Sequence, residues 1–174
     1  NSLKTYLLAA QTLHFDETGI RCEKKLYWTH VVSSQLATLY TIHAKRGLEA
    51  MNEAGILPLF QGIGIHDHWF PYFAYKQIKH GLCNAHHLRE LTFIHEQEKE
   101  DWAKLMKDLL IFAKNEVEKY SNQETLPKEI LLQIEDAYDR IIDKRIEYHS
   151  LLPLLPKSKR GKQKQRDGKN LLDR

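Results

Sequence analysis

The chain is short of the features that mark several large protein classes. Two of its 174 residues are cysteine, Cys22 and Cys83, too few for a disulfide framework, so a reducing compartment is expected. No segment approaches the roughly 20 apolar residues of a membrane span, and the N-terminus lacks the charged-then-apolar order of a signal peptide. No internal repeat or sustained heptad is present. What remains is a soluble, cytoplasmic α/β class of chain. Its 42% hydrophobic content can fill one core, with or without an inserted segment.

The formal charge of +3 is unevenly spread. Residues 157–174 carry eight basic side chains (Lys157, Lys159, Arg160, Lys162, Lys164, Arg166, Lys169, Arg174) against Asp167 and Asp173, a net of +6 that leaves the remainder at −3. Such a tail either approaches a polyanion or is a solvated, disordered end.

Two acidic segments carry the chemistry: His14-Phe15-Asp16-Glu17-Thr18-Gly19 and Gly64-Ile65-His66-Asp67-His68-Trp69. Each sets an aspartate at the end of a β-like apolar run. Carboxylates so presented suit Mg²⁺, and a held metal pair stabilises both oxygens of a phosphodiester displacement. Around them the periodicity predicts strands over 12–22 (closing on a Glu-Thr-Gly turn), 25–33 and 38–43, a helix from Gly47 to Ala54, a strand from Gly62 to His68 bearing Asp67, and a short strand at 80–83. The order β-β-β-α-β, with an aspartate on the first and fourth strands, is that of an RNase H-like mixed sheet. There those strands lie side by side and parallel. From His87 the period becomes helical over some thirty residues, predicting one long amphipathic helix. A polar break and Thr125-Leu126-Pro127 then open a second helix that ends at Pro153 and Pro156, so an α-helical hairpin is expected. The expected partition is a core over 1–86, a helical insertion over 87–156 and a basic loop or tail over 157–174.

Phe15-Asp16-Glu17-Thr18-Gly19, Leu26-Tyr27-Trp28-Thr29-His30-Val31, Lys45-Arg46-Gly47, His66-Asp67-His68-Trp69 with Tyr72, and Cys83-Asn84-Ala85-His86-His87-Leu88-Arg89-Glu90-Leu91 together closely resemble the transposases of the insertion sequence 66 family. The resemblance is clearest over residues 14–95. It implies a DDE-type enzyme that cleaves and joins strands at transposon ends. It further implies two divalent ions, Mg²⁺ or Mn²⁺, DNA as partner, a homo-oligomeric synaptic complex and a bacterial, nucleoid-associated setting. Asp16 and Asp67 are then the catalytic metal ligands. The third carboxylate of such enzymes, a glutamate, is expected beyond residue 174, since no Asn-Asn-x-Ala-Glu-Arg-like segment occurs here. Two readings stand beside this one: a stand-alone nuclease that uses Glu90, and a non-catalytic DNA-binding or assembly remnant.

The neighbouring residues are weighed in the same way. Glu17 points away from Asp16 by strand alternation and is expected to cap the turn. Glu90 is either the rival ligand or an exposed helix residue. Cys83-x-x-His86 looks like half a zinc site, but a structural zinc takes four ligands, so packing is favoured over zinc. The aromatic run Trp69 to Tyr75 either stacks on a base or belongs to the core. Lys45, Arg46, Trp69 and the basic run (Lys157, Lys159, Arg160, Lys162, Lys164, Arg166) are candidate DNA contacts, the cations positioning phosphates without reading sequence.

Overall fold

Alternating apolar and polar side chains carry the first half of the chain into a sheet, and helical spacing carries the second half into a bundle. The computed structural model describes residues 2–156 and 163–173. It separates into two units, Asn1–Cys83 and Asn84–Arg174.

The first unit runs α1 (Ser2–Leu8), β1 (Thr12–Cys22), β2 (Lys25–Ser33), β3 (Thr38–His43), α2 (Leu48–Ala54), β4 (Ile63–His66), a short 3-10 helix (Phe70–Ala74) and β5 (Lys79–Leu82). Its five strands lie in the order β3-β2-β1-β4-β5. The β1–β2 and β2–β3 pairs are antiparallel, while β1–β4 and β4–β5 are parallel. This is the RNase H-like mixed sheet expected from the strand order.

Three local features differ from the sequence reading. A helix, α1, precedes the first strand, and its Leu7 is fully buried while Leu3 and Leu8 pack on the same core. The first hairpin does not turn at Glu17-Thr18-Gly19. β1 continues to Cys22, which pairs with Lys25, and the chain reverses at Glu23 and Lys24, both left-handed with φ of 48° and 66°. Two left-handed central residues make the tight turn whose twist matches the flanking strands. β4 is also shorter than expected, so Asp67 stands just past its last residue.

One face of the sheet is covered. Leu13 and Phe15 of β1 and Val32 of β2 pack with Leu7, Met51 of α2, Ile56, Leu57, Phe60, Tyr72, Tyr75 and Ile78. A Cβ on Gly62 would lie 2.4 Å from the Gln11 carbonyl and 2.5 Å from the Phe60 ring, so only glycine lets the chain enter β4 that close to β1. The aromatic run is split. Tyr72 and Tyr75 are core, whereas Phe70 is exposed.

In the second unit the expected long helix is two: α3 (Asn84–Glu98) and α4 (Asp101–Lys119). Lys99 takes a left-handed conformation (φ 56°) and Glu100 an extended one, which ends one helix and starts the next. The fold-back lets Leu91 and Ile94 of α3 pack with Trp102, Ala103 and Met106 of α4. α5 (Lys128–Leu151) follows Pro127 as expected, packs along α4 and places Ile141 and Ile142 on this core. Within the stretch expected as a basic loop or tail, residues 167–172 form α6 (Asp167–Leu172), with Leu171 and Leu172 against the same core. Lys157, Lys159, Arg160 and Lys162 lie outside the described residues. Among the described residues no helix is long and apolar enough to cross a membrane.

Candidate metal centre

The parallel pairing of β1 with β4 decides where the two aspartates go. Thr12 pairs with Ile63, Leu13 with Gly64 and His14 with Ile65. Two residues beyond His14 and Ile65 stand Asp16, on β1, and Asp67, just past the end of β4, so both follow the last parallel pair at the same sequence offset. Along β1 the side chains alternate. Leu13, Phe15 and Glu17 are buried, while His14, Asp16 and Thr18 are exposed. On β4, Gly64 and His66 are buried and Ile65 is not. Paired positions share a face, so Asp16, in step with His14, and Ile65 lie on the side of the sheet away from the core.

Each aspartate is oriented by a backbone amide. The Glu17 N–H donates to Asp16 Oδ1 at 2.8 Å, and the Trp69 N–H donates to Asp67 Oδ1 at 2.9 Å. The second bond closes a tight turn in which the aspartate side chain fixes the backbone two residues on. Asp16 is exposed and Asp67 half-buried. Two oxygen-donor groups presented from neighbouring strands fit a hard divalent cation such as Mg²⁺ or Mn²⁺.

Under Asp67 the chain is pinned by histidines. His66 is fully buried and stacks on Tyr72, with ring centroids 4.4 Å apart. Its Nδ1 meets the Asp67 carbonyl, its Nε2 lies 2.8 Å from His80 Nδ1, and His80 Nε2 lies 3.2 Å from the Tyr75 carbonyl. Burial, chiefly, holds His66 below the ordinary histidine range.

Glu17 is the residue that sequence reasoning misplaced. It does not cap a turn. Its side chain is 1% exposed on the core face, where Oε1 accepts from Arg46 Nη2 at 2.7 Å and from Arg46 Nε at 2.9 Å. The Tyr72 hydroxyl donates to Oε2. Burial, and then the Glu17 charge, push the Tyr72 hydroxyl far above its ordinary range, so it remains a donor. The Arg46 guanidinium in turn lies over two indoles, 3.9 Å from the Trp69 ring centre and 4.9 Å from that of Trp28. The signal was legible: a carboxylate at the third position of the Leu13, Phe15, Glu17 alternation falls on an apolar face, where a charge requires a partner.

The remaining candidates fall elsewhere. Lys45 Nζ is 2.6 Å from Glu49 Oε2 on an exposed surface. Trp69 packs at the edge of the first core under Arg46. Arg166 donates from Nη1 to the Pro153 carbonyl, and Lys164 lines a surface hollow with Glu98, Glu100 and Tyr148. Glu90 is half-buried on α3 and lines a pocket of about 190 Å³ with Phe93, Ile94, Asp167, Asn170 and Leu171. Cys83 is a free, half-exposed thiol just after β5. His86, in the first turn of α3, has a buried Nδ1 without a hydrogen-bond partner among the described residues. Among the described residues, the one set of three ligand-type side chains within 4.8 Å of one another is His43, Glu49 and Glu53. Lys45 already neutralises Glu49 there.

A profile of the transposase IS66 family matches residues 1–170. The chain belongs to the IS66 family of transposases. No curated protein matches this IS66-family chain. Among solved structures, the simian T-cell lymphotropic virus intasome in complex with PP2A regulatory subunit B56 gamma is 14% identical. That match covers 91% of this chain and 62% of the viral one, at a TM-score of 0.37. The HTLV-2 integrase catalytic core domain in complex with magnesium, in its dimeric form, is 15% identical over 83% of this chain and 88% of its own, at a TM-score of 0.35. The IS66-family chain therefore spans less than two thirds of the first of these. Likeness at this level assigns no residue a role.

Proposed function

We propose that this IS66-family chain carries the two-aspartate part of a DDE transposase centre, with Asp16 and Asp67 as the ligands of Mg²⁺ or Mn²⁺. The observation that supports the reading is the β1–β4 register, whose last parallel pair, His14 with Ile65, each aspartate follows by two residues. A divalent ion held there would supply positive charge to the attacking and leaving oxygens of a phosphodiester.

What the chain's own residues contribute follows from the geometry. The Glu17 and Trp69 amides fix one oxygen of each aspartate, so neither carboxylate has to be reoriented when a cation arrives. Exposure of Asp16 leaves its carboxylate open to DNA. The substrate of the intact enzyme is then transposon-end DNA, joined to a target within a complex of several copies. Its third carboxylate, in this reading, comes from a residue other than Glu90.

Calorimetric titration with Mn²⁺ tests the reading. Binding by the wild-type chain is expected to be lost in Asp16→Asn and in Asp67→Asn, together with any cation-dependent nicking of supercoiled DNA. Unchanged Mn²⁺ affinity in both variants would overturn it.

A further inference from the structure

The side chains that follow the two aspartates are tied to one another through a single cation. Glu17, next to Asp16, holds Arg46; Arg46 lies on Trp69, whose amide holds Asp67. The segment bearing Arg46 is anchored as well. His30 Nε2 lies 3.4 Å from the Lys45 carbonyl, and the Lys45 N–H donates to His43 Nδ1 at 2.9 Å. Tyr72, in the 3-10 helix after Asp67, closes the loop by donating to Glu17.

We infer that Glu17 and Arg46 are positioning residues that set the spacing of Asp16 and Asp67 for the shared cation. The inference rests on the metal reading above and adds to it the part that holds the pair in place. Glu17 does not itself bind the ion. Both of its oxygens are taken by Arg46 and Tyr72, and it lies on the opposite face of β1 from Asp16. Arg46 gives Nε and Nη2 to Glu17, and its guanidinium lies over the Trp28 and Trp69 rings. The four groups act as a strut from the middle of β1 to the turn after β4. A lysine at position 46 keeps the charge but loses the flat, forked donor set and the stacking that the strut needs.

Two variants and one control test this. Glu17→Gln keeps the shape and the Tyr72 hydrogen bond but removes the charge, and Arg46→Lys removes the fork. Both are expected to weaken Mn²⁺ binding about tenfold, the lower end of what groups supporting a metal ligand contribute. In both, exchange of the Trp69 amide proton is expected to quicken. Arg145→Lys disturbs a comparable buried ion pair in the second unit and is expected to change neither reading, which separates positioning from loss of stability in general. Wild-type Mn²⁺ affinity and Trp69 protection in folded Glu17→Gln and Arg46→Lys, with binding lost in Asp16→Asn, would overturn the strut alone. Wild-type affinity in Asp16→Asn would instead overturn the metal reading beneath it.

Discussion

Each unit of this protein surrounds a buried carboxylate with an arginine and aromatic side chains. In the sheet unit it is Glu17, bonded by Arg46 and the Tyr72 hydroxyl, with the guanidinium on the faces of Trp28 and Trp69. In the helical unit it is Glu100, 2.7 Å from Arg145 Nη2 and bonded by the Trp102 indole N–H, with the Arg145 guanidinium 3.8 Å from the Tyr148 ring centre. Both sites satisfy a desolvated charge with an arginine fork, an aromatic donor and a stacked ring. They differ in what adjoins them. Glu100 stands at the break between α3 and α4 and joins it to α5, so its network serves the fold. Glu17 follows Asp16 on β1 and reaches, through Arg46 and Trp69, the turn that holds Asp67, so on the metal reading proposed above the same chemistry there serves the site. A buried ion pair is thus not evidence of function by itself; its neighbours decide.

Removing one cation from each network is the sharpest way to break the comparison. Arg145→Ala leaves Glu100 without its main partner in a place where both side chains are mostly covered, 16% and 9% exposed. Orphaning a buried charge is expected to cost the second unit about 3–5 kcal/mol, read from denaturant unfolding, with Mn²⁺ binding intact. Arg46→Ala should cost less, about 3 kcal/mol at most, because the Arg46 side chain is 35% exposed and water can reach part of the vacated site. Here Mn²⁺ binding should fall with it. Equal effects of the two changes on Mn²⁺ affinity would erase the distinction between the units.

The pH response sharpens the helical side of the comparison. Burial pushes the Glu100 carboxyl up, but hydrogen bonds from Trp102 and Arg145 and the nearby positive charge outweigh it and hold the group below its ordinary value of 4.5. A lowered acid stabilises the fold fully above its unfolded-state value, and that contribution is lost as pH falls through the folded-state value. His149, 3.4 Å from Glu100, is held below 6.5 chiefly by burial, against the pull of Glu100. Its contribution has the same sign. Stability of the second unit should therefore decline as pH drops below about 6.5, and again below about 4.5. Thermal melts across that range check both steps, and Arg145→Ala should weaken the lower one.

Exposed pairs mark the small end of the scale. Lys114 and Glu118 on α4, at 2.5 Å, and Lys45 with Glu49 on the first unit are four residues apart and well solvated. Lys114→Ala is expected to change stability by about 0.5 kcal/mol or less. A loss several times larger would mean that exposed pairs away from Glu17 and Glu100 carry comparable weight.

What the sequence made legible was whatever periodicity and motif spacing encode directly. Alternation located β1, β2 and β3, and the Gly47–Ala54 face located α2. The two aspartate segments announced the parallel pairing that the sheet contains. The misses have physical causes. Glu23 and Lys24 make a left-handed turn without the glycine or asparagine that normally signals one. The α3–α4 break carries neither proline nor glycine, and helical spacing runs on through Lys99, so nothing local opposed a single long helix. α1 and α6 are each short, and tertiary packing of Leu7 and of Leu171 and Leu172, not local propensity, holds them. A Glu-Thr-Gly sequence reads as a turn, yet the chain stays extended through it, and the alternation of β1 then buries Glu17.

Paramagnetic broadening by Mn²⁺ tests the shared-cation claim most directly. In amide spectra of the protein titrated with substoichiometric Mn²⁺, signals of the residues flanking Asp16 on β1 and those flanking Asp67 after β4 are expected to broaden together, and to stay sharp in Asp16→Asn. Broadening confined to one of the two strands, or centred on His43, Glu49 and Glu53, would contradict the account.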